Sequence, residues 1–99
     1  PKSAAPKILS YNSLKIDRDS YLVYNEGASF SLPRKEFEML YLLINKPKKV
    51  FSREEIFRTV WKVNKCENTR IIDVHIRKIR EKIGENIINT VKGVGYQLA

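Results

Sequence analysis

With 99 residues and 42% apolar content, the chain is sized for one hydrophobic core and too short for two. Its 19 Lys and Arg outnumber 11 Asp and Glu to leave a formal charge of +8, so a polyanion is the natural partner. A single Cys excludes an internal disulfide, one His and one Cys supply no metal cluster, and no apolar run approaches the roughly 18 residues of a membrane span; a soluble cytoplasmic protein with no cofactor and no metal is expected.

Residues 1–6, PKSAAP, read as a short linker rather than a signal peptide, and residues 7–99 as the domain. Residues 7–11, 14–16, 21–24 and 29–32 are β-type runs separated by the turn-forming segments NS, DRDS and NEG, which predicts a four-stranded antiparallel meander. After Pro33, the spacing of Phe37, Leu40, Tyr41 and Ile44 predicts a first helix that stops at the NKP of residues 45–47. Ser52 followed by Glu55 is a capping-box pattern, and with Ile56, Val60 and Trp61 it predicts a short second helix. Residues 62–68 have no period, and Asn68 or Thr69 is placed to cap the next helix. Ile72, Ile76, Ile79 and Ile83 then form one narrow stripe on a third helix that Gly84 can end. Residues 87–92 and 96–98, joined through Gly93 and Gly95 as turn glycines, predict a β-hairpin. The fold class is α+β: a four-stranded sheet, three helices and a terminal hairpin.

Charge is uneven along this plan. Residues 1–33 carry four basic and three acidic side chains, a balance of +1, whereas residues 34–99 carry fifteen and eight, a balance of +7. At about 100° per residue the isoleucine stripe turns Arg70, Val74, Arg77 and Glu81 outward, with His75 and Lys78 on one flank and Asp73 and Arg80 on the other. A DNA major groove admits a helix, Arg can hold guanine O6 and N7 together, and a small apolar side chain fits a thymine methyl, so Arg70 and Val74 are the expected base contacts. Lys78 and Arg80, with the outward Arg77, are expected on phosphates, which fix position without reading sequence. Lys92 in the hairpin is a candidate for the adjacent minor groove. Trp61 is read mainly as core, with its indole N–H available for one backbone contact. His75 lacks the partners that catalysis or metal binding requires, and Cys66, with one adjacent lysine, Lys65, as thin support for redox sensing, is read as an ordinary free thiol.

The segments FSREEI (51–56), VW (60–61), RIIDVHIRKIR (70–80) and TVKGVGY (90–96), with LP (32–33) and EF (36–37), closely resemble the effector domains of OmpR/PhoB-type response regulators, in order across residues 7–99. The resemblance implies a winged helix-turn-helix with the third helix in the major groove and the hairpin as wing. It implies base contacts from Arg70 and Val74, backbone contacts from His75, Lys78, Arg80 and Thr90, and a minor-groove role for Lys92. Lys92 departs from the more usual Arg and loses its planar fork, and Ile71 stands where Thr is common. The loop carrying Lys62, Asn64, Lys65 and Glu67 matches the segment that addresses RNA polymerase. The resemblance further implies head-to-tail pairing on direct repeats by a domain that is monomeric alone. It also implies a receiver domain and a sensor histidine kinase for the full-length protein; nothing in this chain has a receiver's length, so an excised domain or separate regulation is expected.

Two other classes remain open from the residues alone. A winged helix can serve a protein partner, which predicts weak DNA binding, or bind nucleic acid generally, which predicts equal affinity for unrelated duplexes. An enzyme is unsupported: no paired carboxylates and no arrangement of nucleophile and base can be named.

Overall fold

The computed structural model describes residues 8–65 and 67–99. The expected linker (1–6), the Lys7 start of the first strand and Cys66 lie outside the described residues.

Four consecutive strands, β1 (Ile8–Tyr11), β2 (Leu14–Asp17), β3 (Leu22–Asn25) and β4 (Ala28–Ser31), pair antiparallel with their neighbours in sequence. The turns fix the register. Asn25 faces Ala28 across Glu26 and Gly27, whose φ of 52° and 86° are the left-handed pair of a type I′ turn. Tyr11 faces Leu14 across Asn12, also left-handed at 55°. Alternation then sends Leu14 and Ile16 of β2 and Val23 of β3 into the core.

Helix α1 (Arg34–Asn45) begins after Pro33 and buries Phe37, Met39, Leu40, Leu43 and Ile44, packing against α2, α3, β1 and β7. The Tyr21 ring stacks on Phe37 at 4.4 Å. A two-residue strand, β5 (Phe51–Ser52), was not foreseen from the sequence, being too short to show a period. Its Ser52 also caps α2 (Arg53–Trp61), Oγ accepting the Glu55 N–H at 3.1 Å. The other half of the expected capping box is replaced by an ion pair: the Glu55 carboxylate meets Lys49 Nζ at 2.7 Å. Lys62, left-handed at φ 58°, ends α2.

Helix α3 (Arg70–Ile83) starts where Asn68 Oδ1 accepts the Arg70 N–H at 3.0 Å, so Asn68 rather than Thr69 supplies the side-chain cap. The expected stripe of Ile72, Ile76, Ile79 and Ile83 is buried; a fully buried side chain of this size contributes about 1.5–3 kcal/mol. Gly84 closes the helix through its N–H to Arg80 O at 2.9 Å.

The hairpin of β6 (Ile88–Val91) and β7 (Gly95–Leu98) turns at Gly93, φ 79°, with Val94 N–H on Val91 O. Gly95 is not a turn glycine. It pairs with Val91 and Ser52 inside a second sheet ordered β5-β7-β6, and its lack of a side chain lets β5 pass. One core unites Leu14, Ile16 and Val23 of the first sheet with the three helices and with Phe51, Ile88, Tyr96 and Leu98 of the second. No helix among the described residues is long and apolar enough to cross a membrane.

Candidate nucleic-acid interface

Burying four isoleucines leaves the opposite face of α3 to solvent. Arg70, Val74, Arg77, Lys78 and Glu81 are exposed there, with Val74 at 49%. An aliphatic side chain half in water, ringed by cations, is matched to a ligand with methyl groups between anions.

The residues expected on phosphates divide into two groups. Arg77 and Lys78 are open. Arg80 is engaged within the domain: Nη2 donates to Ile88 O and to Thr90 Oγ1, each at 2.8 Å, while its buried Nε has no hydrogen-bond partner among the described residues. Thr90, exposed on β6, is therefore a partner of Arg80. His75 is partly buried, with Nδ1 3.1 Å from Glu36 Oε2. Glu36 is the charged residue found in the core among the described residues. The His75 ring also lies 5.7 Å from Trp61, which stacks on Phe57 at 4.7 Å and carries Lys35 Nζ 5.3 Å above it. Trp61 is thus largely packed, as expected.

Lys92, Gly93 and Val94 form the exposed tip of the wing, Val94 at 53%. Lys62, Asn64, Lys65 and Glu67 are all exposed between α2 and α3. Beside them Val63 is 43% exposed, an apolar residue not singled out from the sequence.

Sequence reasoning also missed the group that ties these pieces together. Asp73 Oδ1 accepts Arg53 Nε at 2.7 Å and the Tyr96 hydroxyl at 2.5 Å. Burial pushes the Asp73 carboxyl up, but the bonds from Tyr96 and Arg53 outweigh it and hold the group below the usual carboxylate range. Burial and then the same bond push the Tyr96 phenol up, and Asp73 raises the Arg53 guanidinium. The signal was present in part: Asp73 is the one acid in the first ten residues of an otherwise basic helix.

Residues 27–98 match the family described as Transcriptional regulatory protein, C terminal. The chain belongs to this family. Among its relatives, the uncharacterized transcriptional regulatory protein YcbL of Bacillus subtilis (strain 168) is 37% identical over 100 residues, which span 96% of this chain and 44% of YcbL. This chain therefore spans less than half of that relative's length. The response regulator DrrB, an OmpR/PhoB homologue from Thermotoga maritima, superposes with a TM-score of 0.81 at 33% identity, covering 94% of this chain and 44% of that one. The DNA-binding domain of the response regulator AdeR, solved in complex with an intercistronic region, superposes at 0.79 with 31% identity, covering 90% of this chain and 96% of that domain. The expected OmpR/PhoB-type winged helix is thereby borne out, and within it α3 is the helix that the wing flanks.

Proposed function

We propose that this regulatory-protein domain binds double-stranded DNA in a sequence-specific manner, with α3 in the major groove and the β6–β7 wing in the adjacent minor groove. The observation that carries this is Val74, half exposed at the centre of the outward face of α3 with Arg70, Arg77 and Lys78 around it. Arg70 and Val74 contact bases; Arg77 and Lys78 contact phosphates, joined by Trp61 and His75 through their exposed edges and by Arg80 and Thr90 beside the wing. Lys92 enters the minor groove as a point charge.

In the whole protein the domain is the output half of a cytoplasmic two-component response regulator, with a receiver domain that a sensor histidine kinase controls. Relatives named as response regulators support that assignment. The domain is monomeric alone and pairs head-to-tail on tandem direct repeats. The exposed loop of Lys62, Asn64, Lys65 and Glu67 faces RNA polymerase.

Selection from random duplexes at near-physiological salt, with competitor DNA, tests this directly. Enrichment of a direct repeat bound at least about a thousandfold better than random DNA is the expected result. Equal, steeply salt-dependent binding to every duplex would replace it with general nucleic-acid binding. No binding would leave the winged helix to a protein partner.

A further inference from the structure

The wing is held to α3 on both of its strands. On β7, Tyr96 is 5% exposed and its hydroxyl donates to Asp73 Oδ1, the same oxygen that takes Arg53 Nε from α2. On β6, Ile88 O and Thr90 Oγ1 share Arg80 Nη2 from α3. The Tyr96 ring lies between the two cations, 5.4 Å from the Arg53 guanidinium carbon and 5.7 Å from that of Arg80. The chain Arg53, Asp73, Tyr96, Arg80 and Thr90 thus runs without a gap from the start of α2, through the first and last turns of α3, to both strands of the hairpin.

A two-stranded hairpin is marginal by itself in water. This one projects a tip, Lys92 to Val94, that is exposed throughout. A tip that had to be ordered as it met DNA would lose part of its contact energy to that ordering; a tip already fixed relative to α3 would not. Pairing with β5 and the buried Ile88, Tyr96 and Leu98 anchor the hairpin's base, and the bonds to Asp73 and Arg80 are the side-chain hydrogen bonds that tie it to α3. They leave from the same helix that carries Arg70 and Val74, so major-groove and minor-groove contacts share one rigid frame.

We infer that Asp73 and Tyr96 are positioning residues for DNA recognition, setting the angle between α3 and the wing so that Lys92 arrives in register when Arg70 is seated on its base. The inference rests on the minor-groove role proposed for Lys92. Asp73 acts through the wing: a carboxylate offers phosphates no donor, and its Oδ1 is taken up by Tyr96 and Arg53.

Tyr96→Phe tests it, because it keeps the ring and its packing and removes only the hydroxyl. Dissociation constants are measured by fluorescence anisotropy on one fixed duplex recovered by selection, for Lys92→Ala and Arg70→Ala, each in the wild-type and the Tyr96→Phe background. Lys92→Ala is expected to weaken binding about tenfold in the wild type and only about two- to threefold beside Tyr96→Phe, since an unfixed wing spends its contact on ordering. Arg70→Ala is expected to cost the same factor in both backgrounds, which a general loss of folding would not produce. Asp73→Asn, which removes the charge and keeps an acceptor, repeats the measurement should Tyr96→Phe fail to fold. An equal cost of Lys92→Ala in both backgrounds would overturn the inference while leaving the wing on DNA. No cost in the wild type would overturn the wing's role itself, and the inference with it.

Discussion

Gly95 of β7 runs so close to Phe51 of β5 that a Cβ on Gly95 would meet the Phe51 carbonyl oxygen at 1.9 Å and Ser52 Cα at 2.9 Å. Backbone on backbone cannot yield as a flexible side chain can. Gly95→Ala therefore pushes β5 away from β7 and loosens Ser52, which caps α2 from the same strand. A loss of about 1–3 kcal/mol is expected from urea denaturation, the range for forced overpacking. Gly93 differs: a Cβ there meets open space, but φ is 79°, so Gly93→Ala costs only the left-handed backbone, about 1–2 kcal/mol. If Gly95→Ala proved neutral, the close pairing of β5 and β7 would be wrong.

Asp73 predicts an acid limb in the stability curve. Its folded pKa lies below the ordinary value of about 3.9, so the unfolded chain takes up the proton first. Its stabilising contribution is thus complete above that value and is lost as pH falls through the folded pKa. Thermal unfolding followed from pH 7 downward should show the wild type losing stability below about pH 4 more steeply than Asp73→Asn. Parallel curves would mean that Asp73 carries no proton linkage.

Arg70 and Lys78 should fail in different ways. Arg70→Ala is expected to cost about 1–3 kcal/mol on the selected duplex and to relax preference at one base position. Lys78→Ala should weaken all duplexes alike and reduce the salt slope by about one unit. A uniform loss at Arg70 would move it to the phosphates, and an unchanged slope at Lys78 would remove it from the interface.

Val74→Asp places a carboxylate where phosphates and base acceptors converge. It should lower affinity at least about a hundredfold, since it combines charge repulsion with lost methyl contact. Because Val74 is 49% exposed, the melting temperature should stay close to the wild type. Near-normal affinity would show that this face of α3 is not in the groove.

Element order and core were legible because both rest on local pattern. Period two in Leu14 and Ile16, the four-three-four spacing of the isoleucines, and left-handed turns at Asn12 and at Glu26–Gly27 are each written within a few residues. The outward face of α3 followed from the same stripe by subtraction. The features that stayed hidden depend on partners far along the chain. Phe51–Ser52 is a strand only because Gly95 and Tyr96 come back to it. Glu36 is tolerated in the core beside His75, 39 positions later. Arg80 reads as one more surface cation until Ile88 and Thr90 are brought under it.

Strand β7 lies between β5 and β6, so the second sheet has its middle member made last. On the ribosome, the four-stranded meander can close as it emerges, each strand finding the one just before it. The sheet that carries the wing cannot. Until Gly95–Leu98 leave the exit tunnel, β5 has no strand to pair with, α2 starts from an unsupported Ser52, and the core that buries the isoleucines of α3 lacks Tyr96 and Leu98. A nascent chain paused at the wing thus presents a greasy, basic helix to its surroundings, the kind of surface that chaperones hold. Competence to bind an operator would be acquired only when that one four-residue strand slots home.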